Sequence, residues 1–145
     1  MHLSPAREEI LDAVSKMNRK MRTMFDARVR ERGLTLSRAR TLLRIAEGQA
    51  LNQKELAEEL EIENATLVRL IDGLEAQGLI ERREVENDRR AKQVVMTDEG
   101  EAVVKLVNQM AVDLRREVLA GLNDNDIENA LTIVRKMTRN IEEAA

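Results

Sequence analysis

A chain of 145 residues is long enough for one domain with a real core and hardly for two, and its formal charge of -3 argues against indiscriminate binding to nucleic acid. With no Cys, disulfides, thiolate metal sites and thiol redox chemistry are excluded, and a lone His2 cannot build a histidine-based catalytic set or a His-rich metal site. No apolar run approaches the roughly 20 residues of a membrane span, so the expectation is a cytoplasmic protein with no membrane contact, no metal, no cofactor and no enzymatic activity.

Phe25 is the single aromatic residue and Pro5 the single proline, which predicts a mostly helical protein with a core of Leu, Ile, Val, Ala and Met. Ser4 before Pro5 marks a helix start, because the hydroxyl can cap orphan N–H groups and a proline in the first turn sacrifices no hydrogen bond. Ile10, Val14, Met17, Met21 and Met24 then recur on one face, and Gly33 is the expected stop. Such a stripe needs a partner surface. Ser37 is the expected cap of a second helix, with Leu42, Leu43 and Ile45 inward and Gly48 at its end.

Asn52 with Glu55 three residues on resembles a capping box and opens a short third helix burying Leu56, Ala57 and Leu60. After the turn Glu61-Ile62-Glu63, a fourth helix should bury Leu67, Leu70, Ile71 and Leu74 and stop at Gly78. Asn64, Ala65, Val68, Arg69 and Asp72 fall on its opposite face. Leu79–Glu86 and Lys92–Met96 read as two strands around a five-residue hairpin tip, Asn87 to Ala91. Thr97 should cap a fifth helix with the stripe Val103, Val107, Met110, Leu114 and Val118. Leu122 and Ile127 flank Asn123 as a hydrophobic staple, opening a sixth helix with Leu131, Val134, Met137 and Ile141.

This order is mainly α with a small β-hairpin wing (α+β): a winged helix-turn-helix with N- and C-terminal dimerisation helices. One domain over 1–145 is expected, with a DNA-binding lobe at about 35–100 and dimerisation helices at 1–34 and 101–145. The end helices carry more apolar surface than a small lobe can cover, so a homodimer is expected, joined through Ile10, Val14, Met17, Leu114, Val118, Leu131, Val134, Met137 and Ile141.

Double-stranded DNA is the partner this arrangement suits. Arg69 can donate two parallel bonds to guanine, while Thr66 and Val68 can touch thymine methyls, with Asn64 and Ala65 beside them at the helix N-terminus. The bland alternative, a solvated arginine, loses weight in the helix-turn-helix setting. Arg89, Arg90 and Lys92 charge the wing tip for a narrow minor groove, and Asp88 can stiffen it. Gln53 and Lys54 are expected at a phosphate, and Arg82 and Arg83 at the wing base could reach others, diluted by Glu81, Glu84 and Glu86. The series Glu58, Glu59, Glu61 and Glu63 reads as solvated surface before it reads as a cation site. The methionines of the first helix read as packing first and as a ligand box second, with Met21, Met24, Phe25 and Leu43 as the candidate pocket residues.

Ile62-Glu63 leading into Leu67-Val68-Arg69, then Leu74-Glu75-Ala76-Gln77-Gly78-Leu79-Ile80, then Asp88-Arg89-Arg90-Ala91-Lys92 running to Thr97, resemble the MarR/SlyA family of winged helix-turn-helix transcription regulators over nearly the whole chain. Leu119-Ala120-Gly121-Leu122 is similar to the SlyA branch. The resemblance implies a homodimeric regulator, most often a repressor, on pseudo-palindromic operators. It implies that Arg69 reads a base, Arg90 enters the minor groove, Asp88 orients the wing and Arg89 lies beside the backbone. It also implies a small aromatic or amphipathic effector that releases DNA. A winged-helix adaptor that binds protein instead of DNA is the second function class. Two departures stand out: Glu61 where the family often has Gly, and Gly73 inside the recognition helix.

Overall fold

The computed structural model describes residues 2–47, 51–85 and 88–145, and for 51, 85 and 88–92 it describes the backbone alone. The elements are α1 Pro5–Arg30, α2 Leu36–Ala46, β1 Leu51–Asn52, α3 Gln53–Leu60, α4 Asn64–Ala76, β2 Ile80–Val85, β3 Asp88–Met96, α5 Asp98–Val118 and α6 Asp124–Ala144. Gly48, Glu86 and Asn87, expected as a helix stop, a strand end and the start of the hairpin tip, lie outside the described residues. The chain forms two compact units, residues 1–112 and 113–145.

In the first unit Ser4 caps α1 as expected, its Oγ accepting from the Arg7 N–H at 3.3 Å, with Pro5 in the first turn. Past Arg30 the chain turns through Gly33, and the Leu34 N–H returns to the Val29 carbonyl at 3.1 Å. Both Val29 and Leu34 are buried, so this turn is welded to the core. The cap of α2 is Thr35 and not Ser37: Thr35 has the extended backbone a cap needs, and its Oγ1 accepts from the Arg38 N–H at 3.2 Å. Ser37 lies inside the helix, where its carbonyl accepts from the Thr41 hydroxyl. A further orphan donor, the Leu36 N–H, bonds Asp26 Oδ1 of α1 at 2.8 Å.

Asn52 caps α3 through a 2.8 Å bond from the Glu55 N–H. Glu61 then adopts the left-handed conformation, φ 56° and ψ 42°, which reverses the chain and lets the Ile62 N–H bond the Ala57 carbonyl. For a non-glycine residue this conformation costs about 1 kcal/mol. It aims the next helix. Gly78, at φ 77°, ends the turn after α4, with the Leu79 N–H on the Leu74 carbonyl.

The sheet is antiparallel in the order β1-β3-β2, one strand more than the sequence suggests, because Leu51 and Asn52 pair with Val94 and Gln93. The expected five-residue tip is also corrected. β3 begins at Asp88, and the register shifts between Glu84, opposite Lys92, and Val85, opposite Asp88. Three residues, 89 to 91, are thus accommodated as an irregularity within a continuing ladder. A charged, turn-prone composition does not prevent the strand from resuming its pairing at Asp88.

The core joins Leu42, Ile45, Leu56, Leu67, Ile71, Leu74, Ile80 and Val94, and Val107 of α5 completes it. Leu70, expected inward, is only half-buried. Thr97 fixes the start of α5 by accepting from the Gly100 N–H at 3.0 Å and donating to the Gly78 carbonyl at 2.6 Å. In the second unit Asn123 and Asp126 form a reciprocal capping box for α6. No residue of α6 is buried: Leu131, Ile133, Val134 and Ile141 are exposed. On α1, Ile10, Leu11 and Met17 are likewise exposed and Val14 half-buried. No helix among the described residues is long and apolar enough to cross a membrane.

Candidate nucleic-acid interface

The site is built on α4, whose fully buried Leu67, Ile71 and Leu74 anchor one face to the core. At 3.6 residues per turn, that anchoring leaves Asn64, Ala65, Thr66, Val68 and Arg69 on the open side, and all five are exposed. Arg69 makes no ion pair among the described residues, so its five donors are available to a ligand. It is also the one cation on α4.

Two clamps hold the helix in place. In the first, Arg82 of β2 reaches three partners: Glu75 Oε1 at 2.9 Å and Asp72 Oδ1 at 2.5 Å on α4, and Gln53 Oε1 at 2.8 Å on α3. Arg82, read from the sequence as able to reach a phosphate, spends these bonds within the protein. Its side chain is only 17% exposed and each of its three nitrogens is already bonded. Gln53, also expected at a phosphate, is half-buried with its oxygen engaged, while Lys54 beside it is exposed. Arg83 pairs with Glu81 at 3.0 Å on the open surface.

In the second clamp the guanidinium of Arg38, from α2, lies across Gly73 of α4. A Cβ at position 73 would fall on its Nη2, Cζ and Nε, so a methyl there would push the guanidinium aside. Arg38 Nη1 donates to Gln77 Oε1 at 3.1 Å, and Gln77 Nε2 donates to the Gly33 carbonyl at 2.9 Å. Arg38 has no signal of its own in the sequence, and Gln77 stands there only within the run Leu74 to Ile80. The single hint was the unfavourable Gly73.

Between the α1–α2 turn and α4 lies a cleft of about 490 Å³, lined among others by Arg30, Arg38, Arg69, Ser37, Thr66 and Leu70. Asp26, also at its wall, accepts from Arg30 Nε at 2.6 Å and from the Leu36 N–H at 2.8 Å. These two bonds, first that from Arg30, hold its carboxyl below the usual aspartate value. Met21, Met24, Phe25 and Leu43 do not line this cleft; all four are half-buried, and Phe25 and Leu43 pack against the core. The side-chain roles expected of Asp88, Arg89, Arg90 and Lys92 lie outside the described residues, which carry the β3 backbone through them. Glu59 of the acidic series pairs with Arg44, and no group among the described residues could hold a metal ion.

The family model named MarR family matches residues 34–92, the stretch from the end of the α1–α2 turn to the middle of β3. The solved structure of transcriptional regulator PA3341 is 31% identical, with 92% of this chain and 98% of that chain covered, at a TM-score of 0.79. The chain belongs to the MarR family. Its MarR fold is shared with transcriptional regulator SlyA, 24% identical over 94% of this chain and 96% of that one, at a TM-score of 0.81. A Listeria monocytogenes MarR family regulator complexed with a 26mer DNA is also 24% identical, covers 92% and 89%, and superposes at 0.79. Within the MarR architecture α3 and α4 are the helix-turn-helix and β2–β3 the wing.

Proposed function

We propose that this protein is a sequence-specific DNA-binding transcriptional regulator that acts as a repressor. The observation that carries the reading is the exposed Arg69, unpaired among the described residues and presented beside Asn64, Ala65, Thr66 and Val68 on a helix whose opposite face is fully buried. The DNA complex of the Listeria relative supports it. In this reading Arg69 reads a guanine, Lys54 meets a phosphate, and Arg90, flanked by Asp88, Arg89 and Lys92, enters the minor groove. Gln53 contributes by holding Arg82.

The functional unit is a cytoplasmic homodimer that buries the apolar faces of α1 and α6 and sets two copies of α4 about 34 Å apart on a pseudo-palindromic operator. A small aromatic or amphipathic effector that loosens DNA binding is part of the same reading, with Met21, Met24, Phe25 and Leu43 at its seat. Selection of bound duplexes from random DNA, repeated with Arg69→Ala, tests it. A two-fold symmetric consensus that loses one base-pair preference per half-site is the expected result. Recovery of no consensus from the folded wild-type protein would overturn sequence reading.

A further inference from the structure

The cleft beside α4 carries a charge that the helix itself does not. Arg30, Arg38 and Arg69 converge on it from α1, α2 and α4. Its carboxylate, Asp26, is already bonded to Arg30 and to the backbone. The terminal nitrogens of Arg30 have no partner among the described residues, and Arg69 has none at all there. Ser37 and Thr66 add hydroxyl donors at the wall. The backbone N–H groups of Leu36 and Arg38 are taken by Asp26 and Thr35, so most of the donors facing the cleft are guanidinium and hydroxyl groups.

Arg38 is the organising member. Gly73 gives its guanidinium room to lie along the recognition helix, and the bond to Gln77, itself tied to Gly33, fixes it there. The second helix thereby lends α4 a cation one to two turns from Arg69. Because this cleft borders the helix surface that would enter the major groove, its fitting occupant is an anion fixed in register with that groove.

We propose that the cleft seats one backbone phosphate of the bound DNA, with Arg38 as its principal donor and the Gly73 gap as the feature that places the donor. This rests on the reading of α4 as a DNA-recognition helix. A phosphate held here sets the depth and register of Arg69 without carrying sequence information itself.

The test measures binding of the selected duplex and of a shuffled duplex between 50 and 200 mM KCl, for wild type, Arg38→Ala, Arg38→Gln and Gly73→Ala. Arg69→Ala is the base-reading control, and far-UV circular dichroism and thermal melts check each fold. Arg38→Ala and Arg38→Gln should weaken both duplexes alike, on the order of tenfold, and lower the slope of log affinity against log salt by about one. Gly73→Ala should do the same although the arginine remains, because the new methyl displaces it. Arg69→Ala should instead weaken the selected duplex preferentially. An unchanged salt slope in both Arg38 variants would reduce Arg38 to a structural brace and overturn the proposal. So would phenyl phosphate raising the melting temperature above an ionic-strength-matched KCl control, in wild type but not in the Arg38 variants, while their salt slopes match wild type; the cleft would then be a small-anion site. A folded wild type that binds neither duplex sinks the phosphate seat together with the DNA-binding reading.

Discussion

Arg82 grips Glu75 twice, its backbone N–H donating to Oε2 at 3.0 Å and its guanidinium to Oε1 at 2.9 Å. One residue at the start of the wing thus fixes the C-terminal half of the recognition helix. Arg82→Ala leaves Glu75 and Gln53 with unmatched, partly covered acceptors and should destabilise the fold by about 1–3 kcal/mol. Arg82→Lys should rescue little, because one ammonium cannot span three acceptors on two helices. Chemical denaturation of both variants decides this; near-wild-type stability in Arg82→Ala would show that the clamp is incidental.

Arg69 is exposed and touches no described partner, so its removal should leave the melting temperature within a degree or two of wild type. On the selected duplex Arg69→Ala should lose about 1–3 kcal/mol, and on shuffled DNA much less. Anisotropy titrations on both duplexes check the difference, and equal losses would argue against base reading.

Glu61 sits at φ 56° without the freedom of glycine. Glu61→Gly should therefore stabilise the protein by up to about 1 kcal/mol, whereas Glu61→Ala, equally strained, should not. Urea midpoints for the two variants separate relief of backbone strain from removal of a charge.

Asp26 is held below the ordinary aspartate value by Arg30 and the Leu36 N–H. A depressed folded value means that the carboxylate stabilises the α1–α2 turn above the unfolded value of ~3.9. That contribution is lost as pH falls through the lower folded value. Asp26→Asn should narrow the stability difference between pH 7 and acid, and parallel pH profiles for mutant and wild type would refute the assignment.

Ile141, Ile133 and Leu131 of α6 are 68%, 58% and 45% exposed in the single chain, too much apolar surface for one helix to show to water. In the proposed dimer, Leu131→Glu with Ile141→Glu should convert the species to a monomer and make melting independent of protein concentration. Sedimentation velocity of the double variant provides the check, with an unaltered wild-type dimer as the contrary outcome.

Helical periodicity settled most of the architecture from the chain alone. Leu67, Ile71 and Leu74 recur every three or four residues, and a local repeat of that kind dictates which way Arg69 faces without reference to anything distant. Ser4, Asn52, Thr97 and Asn123 were readable for the same reason, since a cap acts within three residues of itself.

The partnerships of charged side chains were not readable. Arg82 meets Gln53, 29 positions away, and Arg38 meets Gln77, 39 positions away, so their local surroundings said nothing of their roles. Thr35 caps α2 in place of Ser37 beside a Leu36 N–H that bonds Asp26, 10 positions away on α1, and β1 is a strand by its pairing with β3. Spacing along the chain decided which face each helix offers. Only the packing of α3, α4 and β2 decided that Arg82 is held on three sides while Arg69 has no bond among the described residues, because a guanidinium binds whatever acceptor the fold brings within reach.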